Sequence, residues 1–507
     1  MGIMGADRNA DERGTDAGRV NRRRFLGASG AALTALATGV GTATASFGSG
    51  VTTEDYTIDS WDGTELEATL YTPDANEPQP AVLMTHGWGA FRESPLTAPK
   101  AKYHAKRGYN VLTYDSRGFG SSQGTVGLDG PNEIKDAQRL VDWLANRPEV
   151  ALDATDDPKV GMDGVSYAGG IQLSAAAADD RIDAVVPRIT WNDLQYSLAP
   201  NGVIKIGWLS ILLGLGGLSS NLIGPDTNID PRLYDWYEQA LQTNDLPPGI
   251  LEANELRSFP YFENYDTPTF LVQAWDDSLF KPIEAVRTYR ALQDRGVESR
   301  LAFYEGGHAP EEIFVPFDQR GYMNGLANTW FDRHLRGEST DIAQSNTYLK
   351  QREEFRTEDQ FPPSDTEFVT YDLGNAEANG DDRIEQWSFW YDSNVTYTWD
   401  VRDRAEWYGT PQIDLSLDVH GPEARIFVNV LRNGDPINGI GEAYRVEGSG
   451  VSRINFEFPT LQRFVSTSDR LGLQIEVSSP YYLDSRESEG VTIRPGESSV
   501  RLPQRPR

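Results

Sequence analysis

The chain has 507 residues, enough for two or three domains around a large core. It carries 76 acidic and 46 basic residues, and the resulting charge of −30 repels nucleic acid and anionic membrane surfaces. The sequence has no cysteine, which excludes disulfides, thiolate metal sites and a cysteine nucleophile. The acidic residues are spread over the whole chain. This is typical of salt-loving organisms, whose concentrated ions screen self-repulsion; a low-pH or polycation-binding role is the alternative.

Residues 1–45 have the three parts of an export signal. A polar start leads to the arginines Arg22–Arg24, a weakly apolar run covers Gly27–Thr44, and residues 43–45 read Ala-Thr-Ala. Paired arginines before such a run predict a twin-arginine signal peptide, so we expect an extracellular or cell-surface protein that begins near Ser46. The run is too weakly apolar for stable membrane insertion. A disordered basic tail is the alternative.

Residues 46–345 alternate between strand and helix patterns. The first strand pattern is a period-two hairpin around Asp62-Gly63, and short apolar runs follow, most of them leading into an amphipathic helix. The strand patterns cover residues 52–70, 81–84, 109–114, 160–165, 182–186, 269–274 and 301–304. This rhythm predicts an α/β fold, a doubly wound and mostly parallel sheet whose active site lies at the carboxyl ends of the strands.

The rhythm lapses at about residues 190–260, which predicts a cap inserted over the sheet. Residues 204–218 are almost wholly apolar, but they contain Lys205 and are too few to span a membrane. We expect a buried helix there, with Trp191, Tyr196 and Trp208 lining an acyl pocket. The alternative for these aromatic residues is plain cap core.

A second domain with a period-two pattern follows a predicted linker at 346–364. Within 365–507, apolar and polar residues alternate in several segments, which predicts an all-β sandwich or jelly roll. The alternating apolar residues are Ile413, Leu415, Leu417 and Val419; Leu471, Leu473, Ile475 and Val477; and Trp387, Phe389 and Tyr391.

Three residues that each follow a predicted strand suggest nucleophilic catalysis. Ser166 stands in Gly164-Val165-Ser166-Tyr167-Ala168, where small neighbours suit a sharp strand-to-helix turn. Asp277 and His308 follow two later strands, so all three meet at one edge of the sheet in the order Ser, Asp, His. The serine would attack a carbonyl, the histidine would carry its proton, and the aspartate would orient the imidazole. Asp276 is the competing carboxylate.

The oxyanion is assigned to backbone N–H groups of Trp88 and Tyr167, since His86-Gly87-Trp88 follows an early strand. We interpret His86 as a structural histidine that fixes this loop, and Asp115 and Arg117 as residues that hold the next loop. No motif for a cofactor or a metal is present.

These motifs, with the Trp-Asp-Asp loop at 275–277, the Gly-Gly-His turn at 306–308 and the trailing β domain, resemble the cocaine esterase and X-Pro dipeptidyl-peptidase group (CocE/NonD, peptidase S15-like). The resemblance implies an α/β-hydrolase domain with a helical cap and a C-terminal jelly-roll (galactose-binding-like) domain. In the esterases of this group a tyrosine in the first strand-end loop assists the oxyanion, but this loop has none. Asp163 also stands where an apolar strand residue is expected.

Three functions remain open at this stage. The favoured one is an exported serine hydrolase that cleaves a small carboxylic ester through an acyl-enzyme. A peptidase that releases X-Pro dipeptides is the alternative, and it needs an acidic group for the free amine of the substrate. A non-catalytic surface- or glycan-binding protein is the third. The sequence does not indicate an oligomeric state.

Overall fold

The computed structural model describes residues 50–222, 228–308, 311–386, 394–439 and 441–507. The predicted signal peptide lies outside these residues, as does the alternating pattern of Trp387, Phe389 and Tyr391.

Within the described ranges, a ten-stranded sheet forms the first part of the protein. The order across it is β1-β2-β4-β3-β5-β6-β7-β8-β9-β10, and the strands from β4 to β9 run parallel. The predicted hairpin is present, because β1 and β2 pair antiparallel. The strands are β1 (Val51–Asp59), β2 (Glu65–Pro73), β3 (Ala81–Met84), β4 (Asn110–Tyr114), β5 (Val160–Val165), β6 (Ile182–Arg188), β7 (Thr269–Ala274), β8 (Ser299–Tyr304), β9 (Ser345–Leu349) and β10 (Glu354–Glu358).

Helices cover both faces of this sheet. The described helices are α1 (Ala98–Ala105), α2 (Pro131–Ala145), α3 (Tyr167–Ala176), α4 (Leu194–Leu198), α5 (Ile206–Leu222), α6 (Pro231–Thr243), α7 (Pro248–Glu255), α8 (Pro282–Asp294) and α9 (Phe317–Arg336). One face packs on α1 and α9 through a cluster that includes Ala101 and Trp330. The other face packs on α2, α3 and α8 through a cluster that includes Leu140, Leu173 and Val286.

The helices α4 to α7 lie between β6 and β7 and form a cap, which shares an apolar cluster with Phe119, Tyr167 and Phe280 of the domain below. A two-residue parallel ribbon, Thr125–Val126 with Asn228–Ile229, ties this cap to the loop before α2. Among the described helices, none combines the length and the apolar character that crossing a membrane requires.

Residues 346–364 are not the predicted linker. Strand β9 pairs parallel with β8, and β10 pairs antiparallel with β9, so the sheet continues beyond the strand at 301–304 that was predicted to be the last. Strand β9 reads Ser-Asn-Thr-Tyr-Leu, a polar turn follows at 350–353, and β10 is an edge strand whose residues are exposed or half-buried. An edge strand of this kind lacks the apolar run by which a buried strand is recognised.

The C-terminal part is all β, and in the described residues its strands form one eight-stranded and one six-stranded sheet around a common apolar core. The predicted fold class is therefore confirmed. The strands are β11 (Glu367–Asp372), β12 (Glu377–Asn379), β13 (Arg383–Ile384), β14 (Asn394–Asp400), β15 (Ala405–Gly409), β16 (Gln412–His420), β17 (Glu423–Arg432), β18 (Asp435–Pro436), β19 (Glu442–Glu447), β20 (Gly450–Glu457), β21 (Leu461–Val465), β22 (Arg470–Glu476), β23 (Gly490–Ile493) and β24 (Ser499–Pro506). Strand β24 pairs with β11, β15 and β16.

Candidate active site

Ser166 occupies the sharp turn between β5 and α3. Its backbone has φ 59° and ψ −119°, a left-handed conformation that costs a non-glycine residue about 1–3 kcal/mol. The turn closes only with small neighbours, because a Cβ on Gly164 would lie 2.5 Å from the Cβ of Ala168. The N–H of Ser166 donates to the carbonyl of Arg188 at 2.8 Å, and the hydroxyl of Thr190 donates to the carbonyl of Ser166 at 3.0 Å. The turn is thus held by the end of β6.

The structure brings Ser166, His308 and Asp277 together. The Oγ of Ser166 lies 2.9 Å from Nε2 of His308, and Nδ1 of His308 lies 2.8 Å from Oδ2 of Asp277. The other carboxylate oxygen of Asp277 accepts the N–H groups of Leu279 and Phe280, at 2.9 and 2.8 Å. All three side chains are buried. The imidazole can therefore accept the serine proton on one nitrogen while the carboxylate holds the other.

Asp276, the competing carboxylate, faces elsewhere. Its carboxylate pairs with the ammonium of Lys350, in the turn between β9 and β10. The N–H of Asp276 donates to the carbonyl of Gly306 at 2.8 Å, so the two neighbouring strand-end loops are tied together at this residue. The two adjacent aspartates thus serve different partners.

The loop at 86–88 lies against the serine turn. A Cβ on Gly87 would come within 3.8 Å of the Cβ of Ser166. Tyr167 is the first residue of α3, so its N–H has no carbonyl partner within the helix. The indole ring of Trp88 packs edge-on against the ring of Tyr167, and its Nε1 donates to the carbonyl of Leu212 in α5 at 2.7 Å. The loop therefore connects the turn to the cap.

His86 holds this loop, as interpreted from the sequence. It is fully buried, and burial lowers the pKa of its imidazole, which favours the neutral ring. Its Nε2 accepts the N–H of Ser116 at 3.1 Å, and its Nδ1 donates to the carbonyl of Gly87 at 2.8 Å. Arg117 is also structural, because its guanidinium binds Asp136 at 2.6 Å and Asp62 at 3.1 Å.

Asp163, unexpected in an apolar strand, is the centre of a buried ion cluster behind the serine turn. Its two oxygens accept Nε and a terminal nitrogen of Arg188 at 2.7 and 2.6 Å, and Nε2 of His104 lies 2.9 Å away. Burial alone would raise the pKa of Asp163, but the charges of Arg188 and Lys100 hold the pKa well below its usual range. The cluster joins β5, β6 and α1.

A cavity that is open to solvent begins at Ser166 and extends into the cap. Trp191 lines it, as predicted. None of the described residues that line the cavity carries a formal charge. Most of the lining residues were not predicted from the sequence, and most of them come from the cap. They include Leu194, Leu198, Leu212, Leu233, Trp236, Leu246 and Ile250.

Tyr196 and Trp208 do not line this cavity, contrary to the prediction. The hydroxyl of Tyr196 donates to Glu442 in the β domain at 2.6 Å. Trp208 packs edge-on against the ring of His308, with ring centres 5.6 Å apart, and donates to the hydroxyl of Ser278 at 3.2 Å. A buried tyrosine hydroxyl needs a polar partner, and the described residues of the cavity wall are mostly apolar.

Residues 62–310 match the family model of X-Pro dipeptidyl-peptidases (S15 family). The cocaine esterase of a Rhodococcus species is 25% identical over 367 residues, which cover 62% of this chain and 61% of that protein. A putative Xaa-Pro dipeptidyl-peptidase of Rhodopirellula baltica is 23% identical over 387 residues, which cover 65% of this chain and 58% of that protein.

Over residues 62–310 the chain is thus similar in sequence to the S15 family. The fold agrees over most of the chain, since a CocE/NonD family hydrolase from Staphylococcus aureus superposes with a TM-score of 0.70 at 15% identity. That comparison covers 92% of this chain and 99% of the other. An α-amino acid ester hydrolase gives a TM-score of 0.66 at 14% identity, with 92% and 99% covered. The chain spans about three fifths of the length of the two curated relatives.

Proposed function

We propose that this protein is a serine hydrolase that cleaves carboxylic esters with an apolar acyl group. The observation that carries the proposal is the position of Ser166, which lies within 2.9 Å of His308 and also lines an uncharged cavity. The first contact supplies a nucleophile with its base, and the second supplies room for an acyl chain beside it.

The reaction follows from this geometry. As the Oγ of Ser166 bonds to the ester carbonyl carbon, its proton passes to Nε2 of His308, and Asp277 stabilises the resulting imidazolium. The oxyanion meets the N–H groups of Trp88 and Tyr167. His308 then gives the proton to the leaving alcohol, which yields an acyl-enzyme, and a water molecule repeats the sequence to release the acid.

The cavity favours esters over the peptidase alternative. A substrate of an X-Pro dipeptidyl-peptidase carries a free ammonium group close to the cleaved bond. An ammonium without a counter-charge in an apolar cavity is strongly penalised by desolvation. None of the described lining residues offers a carboxylate, whereas leucine, isoleucine and tryptophan side chains suit an aliphatic or aromatic acyl group.

A substrate series tests this proposal. The purified protein is assayed with p-nitrophenyl esters from acetate to octanoate and with Ala-Pro-p-nitroanilide, beside its Ser166→Ala variant. We expect kcat/KM to rise with acyl length while the peptide stays uncleaved, and Ser166→Ala to lose about a millionfold in kcat. Preference for the peptide would establish the peptidase alternative. Full turnover by Ser166→Ala would overturn the serine hydrolase.

Export is proposed on the sequence alone. Twin arginines before a weakly apolar run direct a protein to an export pathway that carries folded proteins. The double variant Arg22→Lys with Arg23→Lys should therefore stay in the cytoplasm. Fractionation of expressing cells measures this, and unchanged secretion would refute it.

A further inference from the structure

The loop at 276–281, which carries Asp277, is held by side chains from two distant parts of the chain. The first is Lys205, in the cap directly before α5. Its ammonium donates to the carbonyls of Ser278 and Leu279 at 3.0 and 2.7 Å, and the residue is 2% exposed. Lys205 thus binds the backbone of the loop next to the N–H groups of Leu279 and Phe280, which hold the Asp277 carboxylate.

The second anchor comes from the β domain. Lys281, at the other end of the loop, pairs with Glu442 of β19 at 2.9 Å, and both side chains are fully buried. Glu442 also accepts the hydroxyl of Tyr196 from α4. The loop, the cap and the β domain therefore meet at a single carboxylate.

The loop in turn sets the environment of the imidazole. Besides the Asp277 contact, the ring of Phe280 packs edge-on against His308 with ring centres 4.9 Å apart. The carbonyl of Phe280 accepts the side-chain amide of Gln273 at 2.9 Å. A shift of the loop would thus displace both the carboxylate and the ring that hold His308.

Stability alone does not account for these buried charges. Lys205 makes its hydrogen bonds to neutral carbonyls, and burial lowers the pKa of its ammonium to about 7. Replacing buried ions by apolar side chains of similar size is often neutral or stabilising. A methionine at position 205 would avoid the desolvation penalty, yet it could not donate hydrogen bonds to the loop.

We propose that Lys205, Lys281 and Glu442 are positioning residues that fix the Asp277 loop, so that the cap and the β domain set the catalytic geometry. The inference rests on the proposed function, because it needs Asp277 to act on His308. It implies that the β domain supports the hydrolytic reaction by fixing the position of this loop.

The test compares Lys205→Met with the wild type and with Lys106→Met, a matched change at an exposed lysine. With p-nitrophenyl butyrate, we expect kcat of Lys205→Met to fall roughly ten- to hundredfold, as for a small misplacement of a catalytic group. KM should change less than about twofold and Tm should stay equal or rise, since buried ions are costly. Lys205→Arg, which keeps the charge and donors, should recover part of the loss.

The double variant Lys281→Met with Glu442→Leu tests the β-domain anchor without leaving one buried charge unpaired. It should fold, react more slowly with a fluorophosphonate probe and show a reduced kcat. Unchanged kcat in this double variant or in Lys205→Met would overturn the inference, as would losses of kcat that only follow losses of Tm. If the wild type is active and Ser166→Ala is inactive, such a result would contradict this inference but not the proposed ester hydrolase activity. A wild type that neither cleaves esters nor reacts with the probe would overturn both.

Discussion

The nucleophile and the acid of the proposed triad are held in different ways. Ser166 is fixed by close neighbours in the sequence, since the backbone of Arg188, the hydroxyl of Thr190 and the small Ala168 all lie within 24 residues of it. Asp277 is fixed by its own loop, and that loop is held by Lys205 and Glu442, which are 73 and 161 positions from their partners. One half of the site is a local turn, and the other half is assembled from three parts of the chain.

This difference implies that the two halves respond differently to mutation. Changes near the serine turn act on one strand-turn-helix unit and its ion cluster, so they should affect folding first. Changes around the acid loop alter the relative placement of groups whose own folds persist, so they should affect turnover first.

The largest expected effect is on kcat, and it distinguishes Asp277 from the adjacent Asp276. Asp277→Asn should lower kcat about ten-thousandfold, because an amide at this position favours the wrong imidazole tautomer. Asp276→Asn should lower it only slightly, since this side chain pairs with Lys350. Steady-state kinetics on one ester measures both variants, and a greater loss from Asp276→Asn would show that the acid is misassigned.

Asp163→Asn tests the buried ion cluster behind the serine turn. It leaves the guanidinium of Arg188 and the ammonium of Lys100 buried without their counter-charge, so the free energy of unfolding should fall by about 3–5 kcal/mol. Turnover per titrated active site should change little. Chemical denaturation and active-site titration measure the two quantities. The exposed Asp180→Asn is the control, and equal stability of both variants would contradict this account of the cluster.

The acid side should also show a pH effect on stability. Burial raises the pKa of Glu284 to about 7, although its carboxylate accepts the N–H groups of Asn192 and Asp193. The folded state therefore holds a proton that the unfolded chain releases near pH 4.5. This contribution to stability falls as the pH rises from about 4.5 through 7.

Glu284→Gln should remove that contribution. The difference in Tm between pH 5.5 and pH 8 should become smaller than in the wild type, by the equivalent of up to about 2 kcal/mol. Thermal unfolding at the two pH values measures it, with the exposed Glu252→Gln as the control. A pH dependence unchanged by Glu284→Gln would assign the effect to other groups.

The last and most conservative change is Tyr196→Phe. It removes one hydrogen bond to Glu442 and leaves the pair with Lys281 in place, so stability should fall by about 1.5–3 kcal/mol. We expect kcat to change by no more than a few-fold. Denaturation midpoints and kinetics are compared with those of Tyr261→Phe at an exposed site. A loss of kcat as large as in Lys205→Met would place Tyr196 among the positioning residues.

The local half of the site could be predicted from the sequence. A serine between Gly164 and Ala168 is recognisable because the turn excludes larger side chains there. Asp277 and His308 could be assigned because parallel strands bring their carboxyl ends to one edge. Each of these inferences uses residues within a few positions of a strand, which is the range over which sequence patterns are informative.

The assembled half could not be predicted in the same way. The pairing of Lys281 with Glu442 depends on how two domains dock, and no local pattern encodes that contact. Lys205 offered one clue, because a lysine in an apolar run must find partners once it is buried. The residue type of Tyr196 suits a pocket wall, but the sequence does not show that its hydroxyl bonds to Glu442 in the β domain. Strands β9 and β10 lack the apolar run of a buried strand, because β9 reads Ser-Asn-Thr-Tyr-Leu and β10 lies at the sheet edge.

The pairing of β24 bears on when during synthesis the proposed active site is completed. This strand lies inside the larger sheet of the β domain, with β11, β15 and β16 as partners, so that sheet cannot close until residue 506 has left the ribosome. Glu442 reaches the acid loop only from a folded β domain. A nascent chain that has already emerged past His308 would thus carry all three residues of the proposed triad and still lack the contacts that align them.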